Sequence, residues 1–239
     1  MTDKEDQMYP DSINQQTYYA DYDQGLRQFF LNVFNNMFLG LALSGVTAFL
    51  VSSSPELMMS FFGGPQKWFF LLAPLGMALF LGFMINSLSP STARILLYVY
   101  AGLMGISLSS IFLIFKMGSI AQVFFITATT FGATALYGYT TKRDLSAMGS
   151  FMIMGVIGLC IAGVVNIFLA SSVLQFAISA ISVLVFTALT AWDVQSLKDI
   201  YYNTEGDDRE RAGIIGALNL YMDFLNIFIN LLQLIGDRK

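Results

Sequence analysis

Two aspartates in apolar stretches near the end of the chain have the clearest capacity for chemistry. Asp223 lies about a dozen residues beyond Arg211, or roughly 18 Å along a helix that rises 1.5 Å per residue. An ionised carboxylate at that depth in a membrane costs at least about 2.5–3.5 kcal/mol. Asp193 follows the apolar run 173–192, and residues 194–202 contain no Gly or Pro that would end a helix. A continuous helix places Asp193 about 13 Å from its polar end, so the two acids can meet at similar depth on neighbouring helices.

Paired carboxylates in a poorly solvated site behave as a proton-controlled latch. Both cannot ionise without a large cost, so they titrate as a coupled pair. With one shared proton they hydrogen-bond and hold their helices together; with both ionised they repel or attract a cation. Their hard oxygen ligands suit Ca²⁺ better than a transition metal. We therefore predict that Asp193 and Asp223 form a gating and pH-sensing dyad with transient Ca²⁺ contact. The structural alternatives are a neutral, hydrogen-bonding Asp223 and a solvated Asp193 at a helix end.

Amide side chains accompany Asp223 on the same face of its helix. They recur at steps of four, three, four and three residues and comprise Asn219, Asn226, Asn230 and Gln233 together with the acid. That spacing is typical of a single helical face. Because lipid does not solvate polar groups, the helix should be surrounded by other helices or line a wet cavity. The amides are therefore predicted either to line a pore or to form a packing face. In the second case they would make hydrogen bonds to neighbouring helices.

The elements that position these residues are apolar runs of membrane-crossing length. Charged residues make up 12% of the 239-residue chain, against about 25% in soluble domains. The runs are 29–51, 68–85, 95–115, 120–139, 148–169, 173–192 and 214–235. Each approaches the roughly 20 residues that cross a bilayer as a helix. We predict an all-α membrane domain over 29–239, with seven transmembrane helices and the last one central, preceded by a disordered, acidic and polar tail over 1–28.

Positive charges indicate how the helices are oriented. With the N-terminus inside, eight basic residues lie in inner segments: Lys4, Arg27, Arg94, Lys142, Arg143, Lys198, Arg209 and Arg211. Four lie in outer segments: Lys67, Lys116, Arg238 and Lys239. Inner loops carry the excess of Lys and Arg, so a cytoplasmic N-terminus and an external C-terminus are favoured. A re-entrant last run, which would leave both termini inside, is the alternative.

Small residues at four-residue spacing indicate close helix contacts. They include the pairs Gly40 and Ser44 and Gly105 and Ser109, and a stripe of Thr130, Thr134 and Gly138. Small side chains let two helix backbones approach in a membrane.

Composition excludes several classes of function. The chain has no His and one cysteine, Cys160, which rules out His-based metal sites, His-containing catalytic triads and an intrachain disulfide. A formal net charge of −4 argues against nucleic-acid binding. No cofactor is predicted.

Five segments together resemble the Bax inhibitor-1 family, and the overall pattern looks like that of a bacterial member. Residues 220–232 (LYMDFLNIFINLL) resemble its final-helix signature, and residues 190–195 (TAWDVQ) resemble its sixth-helix aspartate motif. Segments 23–27 (DQGLR), 105–109 (GISLS) and 139–146 (YTTKRDLS) agree with it as well.

The resemblance implies a seven-helix fold with a central last helix. It also implies a pH-sensitive calcium leak, here controlled by Asp193 and Asp223, in the bacterial inner membrane. Some bacterial relatives carry a Glu and an Arg in the second helix that contribute to the latch. Residues 75–86 contain no charge, so such a partner is absent here or is supplied by another segment.

Two rival functions share parts of this pattern. Intramembrane aspartyl proteases place one Asp on each of two late helices, but their second Asp follows Gly-x-Gly and precedes a Pro-Ala-Leu segment. Here Asp223 follows Leu220, Tyr221 and Met222, and no such segment comes after it, so we do not expect an enzyme. The second rival is a regulator that binds a membrane protease or a stress or cell-death factor.

Overall fold

The described part of the chain is helical almost throughout. A computed structural model describes residues 9–84 and 88–239, without the side chains of 9–23, 75, 78, 79, 82 and 83. In chain order the helices are α1 (Tyr9–Ser53), α2 (Pro55–Phe62), α3 (Lys67–Met84), α4 (Pro90–Leu108), α5 (Ile111–Ile114), α6 (Met117–Thr140), α7 (Ser146–Leu169), α8 (Ser172–Asn203) and α9 (Gly206–Ile235). Within these residues the β-structure is limited to an isolated antiparallel bridge between Phe115 and Arg238.

Within the described residues, six segments are long and apolar enough to cross a membrane. They are Gln24–Ser53, Pro90–Ile114, Met117–Thr140, Ser146–Leu169, Ser172–Asn203 and Gly206–Ile235. The predicted all-α membrane architecture is therefore confirmed. The predicted run 68–85 coincides with α3, except for its last residue, which lies outside the described residues. Its status as a seventh span stays a prediction.

A sharp break separates the third and fourth predicted runs. Phe115 adopts an extended conformation at the end of α5, and Lys116 is extended at the start of α6. Two candidate spans, Pro90–Ile114 and Met117–Thr140, rather than one long helix, therefore occupy 95–139.

Helix α1 begins well before the first apolar run. It starts at Tyr9, so residues 9–28, predicted to be a disordered tail, are helical in the structure. Residues 1–8 lie outside the described residues. Extending an existing helix adds one hydrogen bond per residue fixed, whereas nucleating one is costly, so a polar segment can continue a stable apolar helix. Buried packing already begins at Leu26.

Helix α9 is the central helix of the bundle. Of its most apolar 18 residues, 67% are buried, against at most 33% for any other candidate span. It packs against α8, α1, α6 and α4. Gly216 allows the close approach of α8, because a Cβ there would collide with the side chain of Leu197. The predicted central position of the last helix agrees with this packing.

The two ends of α9 lie on opposite faces of the bundle. At one end Glu210 forms an ion pair of 2.7 Å with Arg94 at the start of α4. At the other end the backbone N–H of Lys116 donates to Asp237 and that of Lys239 donates to Ile114, both at 2.9 Å. We call these faces the Arg94 end and the Lys239 end. A continuous 30-residue helix between them, about 45 Å long, is incompatible with a re-entrant last run.

Candidate intramembrane aspartate site

Helix α8 carries Asp193 within a continuous helix. It runs unbroken over Ser172–Asn203, as the absence of Gly and Pro after the acid predicts. Ser171 caps its start, where the side chain accepts a hydrogen bond from the backbone N–H of Leu174 at 3.3 Å. Asp193 is therefore ten residues from the end of the helix and is half-buried rather than solvated at a terminus.

Asp223 is buried against α8 and interacts directly with Asp193. Its exposed fraction is 4%, in a helix that is surrounded by four others. The two carboxyl groups lie within hydrogen-bonding reach of each other, and Thr190 is adjacent to Asp223. The structure thus brings together the two acids that the sequence singles out.

The hydrogen-bond pattern around the pair has too few donors for two ionised carboxylates. The Thr190 hydroxyl donates to the carbonyl of Phe186 at 2.8 Å, which uses its single hydrogen. The Oδ2 atom of Asp223 is buried without a hydrogen-bond partner among the described residues. A buried acceptor that lacks a donor costs about 1–3 kcal/mol. A proton held between Asp193 and Asp223 removes this deficit, because the protonated acid then donates to the other.

A second buried hydroxyl lies nearby on α8. The Oγ1 atom of Thr187, one turn before Thr190, also lacks a hydrogen-bond partner among the described residues. The central part of α8 therefore offers polar atoms that a water molecule can satisfy.

Two glycines determine how closely the neighbouring helices approach α8 beside Asp193. A Cβ on Gly138 of α6 would collide with the backbone of Ala191, and one on Gly149 of α7 would collide with the ring of Trp192. Gly138 belongs to the small-residue stripe from which a close contact is predicted. Since α6 and α7 hold Ala191 and Trp192 from two sides, the backbone that carries Asp193 is firmly positioned.

Gln195 fastens the loop between α6 and α7 to α8. Its side-chain amide donates to the carbonyl of Arg143 at 2.7 Å, and its oxygen accepts from the backbone N–H of Leu145 at 2.7 Å. In the same region the ammonium group of Lys198 lies 4.6 Å from the centre of the Tyr139 ring. The resemblance segments 190–195 and 139–146 are thus physically joined.

Within the described part of the chain, three of the four amides of α9 make hydrogen bonds inside α9 or to Arg238. Asn226 donates to the carbonyl of Met222 at 2.9 Å, and Asn230 donates to that of Asn226 at 2.8 Å, both within α9. Gln233 accepts a hydrogen bond of 3.3 Å from Arg238, beyond the end of the helix. Asn219 is exposed. A role for these four side chains in lining a pore stays a prediction.

A second polar cluster, not anticipated from the sequence, ties α9 to α1 and α4. The hydroxyl oxygens of Tyr221 and Ser44 are 2.6 Å apart, and Ser44 also lies 2.8 Å from the carbonyl oxygen of Ala101. The ring of Tyr221 packs against Gly40 and lies edge-on to Tyr100, with centroids 5.6 Å apart. The four-residue spacing of Gly40 and Ser44 predicts a helix contact, but a tyrosine in an apolar run does not reveal its hydrogen-bond partner.

The site has too few ligands to hold a resident metal ion. The part of the chain that the structure describes contains no cluster of three or more His, Cys, Asp or Glu side chains arranged to hold one. Because Ca²⁺ takes six to eight oxygen ligands, two carboxylates and a hydroxyl can contact it only in passing.

Comparison with known proteins gives matches over nearly the whole chain. The family model described as inhibitor of apoptosis-promoting Bax1 matches residues 26–239. An uncharacterized protein of Rickettsia prowazekii is 45% identical over 219 residues, which cover 91% of this chain and 93% of that protein. The inner membrane protein YbhL of Escherichia coli K12 is 38% identical over 221 residues, which cover 90% of this chain and 94% of that protein. The matched region includes both aspartate-bearing helices.

Proposed function

This chain belongs to the Bax inhibitor-1 family, and from its intramembrane acid pair we propose that it is a pH-gated cation leak of the bacterial inner membrane, with Ca²⁺ as the permeant ion. The observation that carries the proposal is the direct interaction of Asp193 with Asp223, whose Oδ2 is buried without a donor. The inner-membrane location is inferred from the name of the Escherichia coli relative.

The latch operates through the repulsion that appears when the shared proton is lost. Two unit charges about 4 Å apart repel by about 4 kcal/mol at an effective dielectric constant of 20. Each 1.4 kcal/mol is a factor of ten in an equilibrium, so loss of the proton can shift the balance between a closed and an open α8–α9 interface by roughly 10²–10³. Flux should therefore rise with pH.

A polar cavity at the Arg94 end provides an entrance for the ion. It has a volume of about 450 Å³, and its lining includes Gln28, Asn32 and Asn36 of α1 together with Arg94 and Glu210. The three amides recur every four residues, so they lie along one face of α1. Two further four-residue steps along that face reach Gly40 and then Ser44, which contacts Tyr221 two residues before Asp223. The amides of Gln28, Asn32 and Asn36 can therefore contact a cation over about two turns of α1.

We also propose that α3 is the seventh crossing. Residues of α1 between Gly25 and Asn36 line the cavity at the Arg94 end. Near its other end, Phe49 packs against Phe112, whose carbonyl accepts a hydrogen bond from the side chain of Lys239. Because α4 starts again at the Arg94 end, the chain must return between α1 and α4. Only α3 in that segment is long enough to make the return, which would give the predicted seven spans.

Calcium entry into dye-loaded liposomes that contain the purified protein, measured across pH 5 to 8, tests the proposal. We expect protein-dependent entry that rises with pH in the native chain. Asp193→Asn and Asp223→Asn each remove one charge and should abolish the pH dependence. Asp199→Asn, an exposed acid near the end of α8, is the matched control and should behave like the native chain.

Two results would contradict the proposal. An unchanged pH profile in both dyad variants would exclude the acids as the gate. Entry equal to that of empty liposomes at every pH would exclude a leak. It would favour the rival function, regulation of a membrane-protein partner, which co-purification of such a partner would then support.

A further inference from the structure

Helices α1 and α6 are separated by a groove along the half of the bundle nearest the Arg94 end. The groove has a volume of about 630 Å³, and its walls are almost entirely apolar. Phe30, Phe34 and Phe38 line it from α1, Phe131 and Leu136 line it from α6, and Phe224 of α9 also contacts it. Leu136 and Phe38 are 63% and 56% exposed, so the groove opens to the outside of the bundle.

The groove has space for an additional chain of atoms. A Cβ added at Gly132, in its α6 wall, would meet no atom within 4 Å. The volume lies within the roughly 300–1,000 Å³ typical of small-molecule sites. An apolar space that opens sideways from a transmembrane bundle is suited to an acyl chain.

One end of the groove is positively charged. Arg27 is part of its lining, and so is Tyr139, whose ring centre lies 4.6 Å from the Lys198 ammonium group. The ion pairs among the described residues are Arg94 with Glu210 and Arg211 with Asp208, so Arg27 and Lys198 are left unpaired there. Among the described side chains, the acids near these residues in sequence are Asp199, which is exposed and next to Lys198, and Asp144, which accepts a hydrogen bond from Ser146; the side chain of Asp23, four residues before Arg27, lies outside the described part.

We propose that this groove is a specific site for an anionic phospholipid. One acyl chain lies between α1 and α6, and the phosphate group binds Arg27 and Lys198. Basic positions between transmembrane helices at the cytoplasmic surface bind anionic headgroups, and long basic side chains reach the headgroup level. The occupant is a lipid rather than another helix because the charged end and the apolar body match the two parts of a single phospholipid. The lipid would bridge α1 and α6, which border the same opening and meet at its charged end through Phe30 and Tyr139, whose ring centroids are 4.9 Å apart.

Lipid retention, measured by native mass spectrometry after delipidation in detergent and titration with phosphatidylglycerol or phosphatidylcholine, tests the proposal. The native protein should retain one phosphatidylglycerol with at least tenfold preference over phosphatidylcholine. Gly132→Leu fills the groove and should reduce retention of both lipids several-fold. Its matched control is Gly158→Leu on α7, where an added Cβ also meets open space, and this variant should bind as the native chain does.

A variant that lacks both positive charges distinguishes the contribution of the basic end of the site from that of the apolar groove. Arg27→Gln combined with Lys198→Gln should lower phosphatidylglycerol binding to the level of phosphatidylcholine while leaving the groove intact. Equal retention of the two lipids by the native protein, or undiminished retention in Gly132→Leu, would overturn the proposal and indicate ordinary boundary lipid. The charge variant provides the deciding measurement if Gly132→Leu fails to fold. None of these readouts depends on calcium flux.

Discussion

Replacement of Gly138 by Ala should destabilise the protein although alanine is the better helix former. The new Cβ would collide with the backbone of Ala191, and a backbone obstacle cannot rotate away. Overpacking of this kind destabilises a protein by about 1–3 kcal/mol. We expect a value in the upper half of that range, because α6 and α8 must separate to make room for the Cβ. The gain in helix propensity from Gly to Ala is about 1 kcal/mol. The net loss is therefore about 1–2 kcal/mol, which lowers the Tm by roughly 2–8 °C for a chain of this size.

Gly132→Ala on the same helix is the matched control. An added Cβ there meets no atom within 4 Å, so only the helix-propensity gain remains and the Tm should rise by roughly 2–4 °C. Thermal unfolding in detergent, followed by tryptophan fluorescence, measures both variants. Trp192 is one of two tryptophans and directly follows Ala191, so it reports on the contact itself. Equal Tm shifts of the same sign in both variants would refute the close approach of α6 to Ala191.

Two further predictions concern the loop that joins α6 to α7. Gln195→Leu removes two hydrogen bonds of 2.7 Å, to Arg143 and Leu145. Trypsin should therefore cleave after Arg143 several-fold faster than in the native chain. An unchanged cleavage rate would contradict the role of Gln195. The Asp144 carboxylate is exposed, and hydrogen bonds from the side chain and backbone of Ser146 hold its pKa below the usual value of 3.8. Because the pKa is depressed in the folded state, this hydrogen bond from Ser146 to the Asp144 carboxylate stabilises the start of α7 above about pH 4, and the stabilisation is lost as the pH falls through the lowered value. Hydrogen-exchange protection of the first turn of α7 should therefore decrease as the pH falls from 5 to 3 in the native chain but not in Asp144→Asn. The same decrease in both proteins would exclude protonation of Asp144 as its cause.

The meeting of Asp193 and Asp223 could be predicted because the position of a residue along a helix depends on quantities that a sequence contains. The rise of a helix is constant, and the polar segments mark where each run leaves the membrane. Counting residues from Arg211, together with the absence of Gly and Pro after Asp193, therefore sufficed to place the pair at similar depth. The central position of the last helix followed similarly from its polar face, because lipid does not solvate such a face.

The direction in which each side chain points around the bundle could not be predicted. The sequence shows that Asn226 and Asn230 share a face with Asp223, but their amides bond within α9. A side-chain donor in a transmembrane helix can donate its hydrogen bond to the backbone carbonyl four residues earlier. The hydropathy of the sequence does not distinguish this bond from one to a partner on another helix. Likewise, the contact between Ser44 and Tyr221 depends on which helices are neighbours, a tertiary property that no local pattern encodes.

The two polar clusters on α9 differ in the chemistry of their contacts, and under the proposed gating only one of them would respond to pH. The contact of Tyr221 with Ser44 joins neutral hydroxyls, so it holds α9 to α1 and α4 whatever the charge on the dyad. The proposed latch places the pH-dependent contact, that of Asp223 with Asp193, between α9 and α8. Gly216 brings Leu197 of α8 against α9, and Gly138 brings α6 against Ala191, so α8 is packed closely on both sides and loss of the proton would act on the α8–α9 interface itself. The apolar groove between α1 and α6 is contacted by Phe224, the residue after Asp223, so a lipid held there would touch the helix that carries the dyad.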